Sequence, residues 1–126
     1  KADRVAKEGR VEVYVHSGSK MVAIVEVNCE TDFVANSEDF KKFAKDLAMH
    51  IAACNPKYIK KEDVSADALQ GVKDPETFYK ENCLLCQAFV KDPKLTVQDL
   101  LNSLVSSIRE NIIVSRFKRY KVGEVE

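Results

Sequence analysis

Around residues 28–37 the hydrophobic period of this chain switches from that of a strand to that of a helix, which limits the fold more than any other feature. Before the switch, Val11, Val13 and Val15 alternate with Glu12, Tyr14 and His16, the period of two that marks a half-buried strand. Ser17-Gly18-Ser19-Lys20 is a turn by composition. Residues 21–27 then read as a second strand, apolar on both faces except at Glu26, which suits a central position and an antiparallel hairpin with the first. After the switch, Phe40, Phe43, Ala44, Leu47, Ala48 and Ile51 fall at i, i+3, i+4, i+7, i+8 and i+11, one continuous stripe along a helix. Asn36 or Ser37 can cap that helix, Glu38 and Asp39 suit the positive end of its dipole, and Asn55-Pro56 stops it.

The rest of the chain supplies a second stripe and a third strand. Residues 1–9 form a charged lead-in closed by Gly9, and residues 57–74 are polar, with one short helix expected after Ser65. Asp74-Pro75 is a good helix start, and that helix carries Phe78 and Tyr79 towards Cys83-Leu84-Leu85-Cys86. Residues 88–93 leave it as an extended crossing. Thr96-Val97-Gln98-Asp99 resembles a capping box, and Val97, Leu100, Leu101, Leu104, Val105 and Ile108 make the second amphipathic helix, ending at Asn111. A last strand spans residues 112–122, with a slip of alternation between Phe117 and Tyr120 that reads as a bulge. Two apolar stripes and three strands predict an α+β domain: a three-stranded antiparallel sheet with helices packed on one face. At 126 residues it is one domain, 1–126.

Composition removes several classes of function. Twenty basic and twenty acidic residues cancel, so no global field draws the chain to nucleic acid or membrane. Arg116, Lys118, Arg119 and Lys121 do make the C-terminal end basic, against an acidic middle of the first half. No apolar run approaches the roughly 18 residues of a membrane helix. The charged opening Lys1-Ala2-Asp3-Arg4 is not expected to be a secretory leader, and the lack of an initiator methionine suggests a processed chain or a piece of a longer one.

No catalytic constellation emerges. The glycines stand singly, with no phosphate-binding loop. Cys83 and Cys86 form a Cys-x-x-Cys, but Cys29, Cys54, His16 and His50 are scattered and supply no second half-site for zinc. A thioredoxin-like motif would follow a strand, whereas a helix precedes this one. The cysteines read as small buried hydrophobes, and no metal or cofactor is expected. A pairing of Cys29 with His16 or His50 has no support in the spacing. One loop stands apart. Thr31-Asp32-Phe33 sets a large aromatic beside an acid, outside the helical stripe that begins at Phe40. From residue types alone Phe33 is either packing at the edge of the core or an anchor for a partner's pocket.

Val13-Tyr14-Val15-His16-Ser17-Gly18 and Val25-Glu26-Val27-Asn28-Cys29-Glu30-Thr31-Asp32-Phe33-Val34-Ala35 closely resemble the core of the elongation factor Ts family. The likeness continues through Lys45–Ala53, Asn55-Pro56-Lys57-Tyr58, Leu84-Leu85, Gln87, Phe89–Asp92, Glu110-Asn111-Ile112, Arg116-Phe117 and Tyr120, leaving out residues 60–82. The resemblance implies guanine-nucleotide exchange on elongation factor Tu without any enzymatic step. Asp32 and Phe33 would enter between two helices of the Tu GTPase domain, near its Mg²⁺ and phosphate site. Glu30 and Thr31 would shape the loop, Val34 would share the contact, and His16 would reach a further Tu domain. Short, single-core members resemble a form that pairs through its sheets, so the resemblance also admits a homodimer. It implies no membrane and no direct nucleic-acid partner, and a place in bacterial cytoplasm or an organelle matrix or stroma. The family's N-terminal helical module is not in this sequence, and Cys86, Ala88 and Ser115 stand where the family pattern has Glu, Pro and Arg. Two alternatives therefore accompany the reading: a Tu-binding domain without efficient exchange, and an RNA- or ribosome-binding module using the basic strand.

Overall fold

The structure, a computed structural model, describes residues 4–125, so the first three residues of the expected lead-in lie outside the described residues. Strands β1 (Glu8–Val15), β2 (Met21–Cys29) and β5 (Ile113–Lys121) form one antiparallel sheet in the order β1-β2-β5. The strand with apolar residues on both faces is central, as the sequence predicts. Its inner positions Ala23, Val25, Val27 and Cys29 are fully buried. Against that face lies the long helix α2 (Glu38–Cys54), which buries Phe40, Phe43, Ala44, Leu47, Ala48 and Ile51, the stripe read from the sequence. Ser37 caps it through its hydroxyl, and Asn55 ends it in the left-handed region at φ 48°.

Helix α4 (Val97–Ile108) packs beside α2 and buries Val97, Leu101 and Leu104. Its capping box is complete, since Thr96 Oγ1 accepts from the Asp99 amide and the Asp99 carboxylate accepts from the Thr96 amide. It stops at Ile108 rather than Asn111, because Arg109 turns to φ 65° and breaks the helical path. Between the two long helices, α3 (Pro75–Asn82) starts at Asp74-Pro75 as expected. The polar stretch before it holds two 3-10 turns, Lys61–Asp63 and Asp67–Leu69, where one short helix was expected. Residues 88–93 are not a plain crossing: β3 (Ala88–Phe89) and β4 (Asp92–Thr96) fold back as a small hairpin.

One detail of the sheet settles which face of β1 is buried, and another departs from the sequence reading. In β1 the alternation is present, but Val11, Val13 and Val15 face outward at 59%, 52% and 57% exposure, while Arg10, Glu12 and Tyr14 turn inward half-buried. The irregularity in β5 falls opposite Glu26/Val27, where Arg116 pairs with Glu26 and Val114 with Val27. Ser115 is the extra residue, so the bulge comes earlier than the expected slip between Phe117 and Tyr120. Near the loop end of the sheet the chains approach closely: Gly9 sits at φ 152°, and a Cβ there would collide with the Val27 carbonyl oxygen. No helix among the described residues is long and apolar enough to cross a membrane.

Candidate functional site

The stretch between β2 and α2 is a tight, hydrogen-bonded elbow rather than an open loop. β2 ends at Cys29, whose thiol donates to the Thr31 carbonyl at 3.2 Å. Thr31 stays extended and caps a single helical turn, α1 (Asp32–Ala35), by accepting from the Val34 amide. The turn closes through Ala35 N–H to the Thr31 carbonyl and Asn36 N–H to the Asp32 carbonyl, which also accepts from Asn36 Nδ2. Ser37 joins the turn to α2, since its hydroxyl donates to the Val34 carbonyl at 2.7 Å while accepting from the Phe40 amide.

Successive residues of a helical turn point about 100° apart, so this one cannot hide all its side chains. Val34 and Ala35 go inward, at 8% and 1% exposure, and Phe33 goes outward at 86%. Asp32 is exposed beside it, and its carboxylate has no hydrogen-bond or ion-pair partner among the described residues. Phe33 is therefore not core packing. Val34, which the resemblance sets among the contact residues, is 8% exposed. Its side chain belongs to the core and fixes the turn from beneath.

Glu30 and Thr31 face a different neighbour. The Glu110 carboxylate, at the junction of α4 and β5, accepts from the Glu30 amide at 2.9 Å, the Thr31 amide at 3.2 Å and the Thr31 hydroxyl at 2.8 Å. In return the Glu30 carboxylate accepts from the Asn111 amide at 2.6 Å, with the Arg4 guanidinium 3.7 Å away. Two segments some 80 residues apart in sequence are thus clasped by reciprocal carboxylates. Neither spacing nor periodicity marks Glu110 as part of the site. Only its appearance in the matched stretch Glu110-Asn111-Ile112 hinted at such a part.

His16 does not join this group. It follows the opposite end of β1, and its ring accepts or donates to the Tyr14 hydroxyl at 2.9 Å. Along the sheet that is more than about 20 Å from the Asp32–Phe33 turn.

The thiols are not set up as nucleophiles. Burial pushes Cys29 and Cys83 up to about 11, and it raises Cys54 and Cys86 as well. Cys54 lies 3.8 Å from His50 Nδ1, but burial keeps that imidazole neutral by lowering its pKa, so the pair does not form a thiolate–imidazolium couple. Among the described residues no group of three or more His, Cys, Asp or Glu side chains could hold a metal ion.

Comparison with known proteins agrees with the resemblance read from the residues. The family model for elongation factor Ts matches residues 1–77 and 72–124. The chain is 46% identical to the elongation factor Ts of Caldanaerobacter subterraneus subsp. tengcongensis, with 98% of this chain and 74% of the relative covered. It is 49% identical to that of Thermoanaerobacter sp., covering 98% and 72%, and 46% identical to that of Geobacter metallireducens, covering 98% and 68%. Each of these alignments runs over 147 positions, more than the 126 residues here, so the relatives carry extra residues inside the matched region. The family matches meet at 72–77, inside the stretch 60–82 that the residue-by-residue likeness leaves out.

Proposed function

The chain belongs to the elongation factor Ts family, and from that premise we propose that it is a guanine-nucleotide exchange factor for elongation factor Tu, with Asp32 and Phe33 as its working pair. Such a factor is not an enzyme; it makes and breaks no bond. The observation that carries the reading is Phe33, a ring 86% exposed on a turn whose backbone is hydrogen-bonded on either side of it, at Thr31 and Asp32 before and at Val34, Ala35, Asn36 and Ser37 after. Keeping that ring in water forgoes roughly 2–3 kcal/mol of burial, which a partner's pocket would recover. Entering between two packed helices of the Tu GTPase domain, the ring favours a second arrangement of that pair. Asp32 brings an unpaired negative charge towards the Mg²⁺ and phosphate site, where it weakens the hold on the nucleotide. Linkage requires reciprocity, so bound GDP weakens binding of this chain by the factor by which the chain weakens GDP.

The other residues take graded parts in this reading. Glu30 and Thr31 shape the turn from behind, Val34 roots it in the core, and His16 makes a separate contact at the far end of the sheet. Residues 1–126 act as a single core domain. Its place is wherever Tu works, the bacterial cytoplasm or an organelle matrix or stroma. The sheet's outer face, with Val11, Val13, Val15 and Tyr120 exposed, supports a homodimer through that face.

Release of fluorescent GDP from Tu, followed with increasing chain, tests the proposal. The chain is expected to accelerate release, and Phe33→Ala to remove most of the acceleration while remaining folded. Unchanged release at a saturating concentration, with binding retained, would instead make this a Tu-binding domain without exchange.

A further inference from the structure

Glu110 faces the turn from an element that takes no part in the wedge itself, and we propose that it is the positioning residue that keeps Asp32 and Phe33 aimed at the partner. The inference rests on the wedge reading above and deepens it. Its basis is the arrangement of donors. The Glu30 and Thr31 amides both point at Glu110 Oε1, and the Thr31 hydroxyl donates to Glu110 Oε2. These are the last two residues before the turn, so their peptide planes set the direction in which Asp32 and Phe33 leave the sheet.

The hydroxyl contact has a second consequence. A threonine hydroxyl has one proton and two lone pairs. With the proton committed to Glu110, a lone pair of Oγ1 is left facing the Val34 amide, which donates to it at 3.2 Å. Glu110 thereby orients the cap of the turn it does not itself touch. Hydrogen bonds to an ionised acceptor are roughly twice as strong as neutral ones, so this carboxylate is a firm anchor. The return bond from the Asn111 amide to Glu30 ties the anchor's own backbone to the elbow. The residues on either side of Phe33 are thus held by hydrogen bonds while its ring stands free, the condition under which insertion spends the least ordering entropy.

The clasp is distinct from what holds the fold. Val34, Phe40 and the inner face of β2 bury the apolar surface beneath the turn, and none of them depends on Glu110. Removing the carboxylate leaves two amides that water can reach, since Thr31 is exposed and Glu30 only part-buried. The expected result is a folded protein with a loosened turn.

The test measures GDP release from Tu at saturating chain for four proteins: the unaltered chain, Glu110→Ala, Phe33→Ala and the double variant. Glu110→Ala should lower the maximal release rate about fivefold to tenfold, with less change in the concentration for half-saturation. In the Phe33→Ala background it should do nothing further, because there is no ring left to aim. Glu110→Gln keeps one carbonyl oxygen for the two amides and should restore part of the rate; it also replaces the alanine variant throughout should that variant not fold. Amide hydrogen exchange at Glu30, Thr31 and Val34 should rise about tenfold or more in Glu110→Ala, with α2 unchanged. An equal loss of rate in both backgrounds, or a full rate in Glu110→Ala, overturns the positioning role alone. Full release by Phe33→Ala overturns the wedge reading and this inference together.

Discussion

Phe33 and Val34 are neighbours of similar chemistry with opposite fates, and the reason is the phase of one helical turn. Thr31 fixes where that turn begins, and the roughly 100° step then sends Val34 into the core and Phe33 into solvent. The two therefore respond oppositely to truncation. Val34→Ala removes two buried methyl groups and should cost about 2 kcal/mol, transfer and cavity terms together. Phe33→Ala should stay within about 0.5 kcal/mol, as surface changes usually do. Urea unfolding of both variants checks this, and a Phe33→Ala loss as large as that of Val34→Ala would return the ring to the core. Residue types could not separate these outcomes. A stripe of six apolar positions has a readable phase, whereas a four-residue turn does not until its cap is known. Glu110 was hidden for a related reason: its partners lie about 80 positions away, a separation at which no periodicity operates.

At the scale of elements, what was legible was local. Ser37, Asn55, Thr96 and Asp99 act through atoms three or four residues away, and the helix ends they mark appear near where the sequence puts them. The β3–β4 hairpin was missed because its strands are too short to show a period. The connection between α2 and that hairpin runs through a buried histidine. His50 Nδ1 accepts from the Val90 amide at 3.2 Å, so the proton sits on Nε2, facing Gln87 Oε1 at 2.9 Å. Gln87 in turn donates to the Glu81 carbonyl at 2.9 Å. Burial lowers the pKa of His50 from its ordinary 6.5, with Gln87 opposing more weakly. The unfolded chain then binds the proton first as pH falls, so this contribution to stability is complete above 6.5 and declines below it, towards the lowered folded value. A second proton would also face the Val90 N–H. Stability by urea titration should fall between pH 7.5 and 5.5, and His50→Gln, less stable overall, should show a flatter profile. Parallel profiles would remove His50 as the cause.

The whole molecule is a sheet with helices on one face and a largely apolar surface on the other, and the alternation in β1 left open which of its faces that surface would be. An alternation of valine with Glu12 and Tyr14 ordinarily turns the valines inward. Here α2 covers the opposite face, and the valines of β1 stand outside with Val22 and Ile24 of β2 and Tyr120 of β5. Period two reveals that a strand has two different faces but not which face meets the helix, because that depends on the register with β2. Nor is the outer face uniformly apolar. Glu26 lies on it, held below its usual carboxylate range by Asn28 Nδ2 at 2.9 Å and by the Arg116 guanidinium at 2.7 Å. The pairing neutralises Glu26 and Arg116, while Lys118, opposite Ile24, keeps a charge on the same face. A row of exposed β-branched side chains on one sheet is costly in water and fits a second copy related by a two-fold axis, where each residue would be counted twice. Val13→Thr with Val15→Thr keeps the strand-favouring branched shape and removes one methyl at each position. Across the two protomers that is four methyl groups, about 3 kcal/mol, or more than a hundredfold in the dimer dissociation constant. Sedimentation over a range of concentrations should show the unaltered chain associating and the double variant remaining monomeric well above that range. A chain that is monomeric throughout, or a double variant that associates equally well, would mean that something other than a second copy covers these valines.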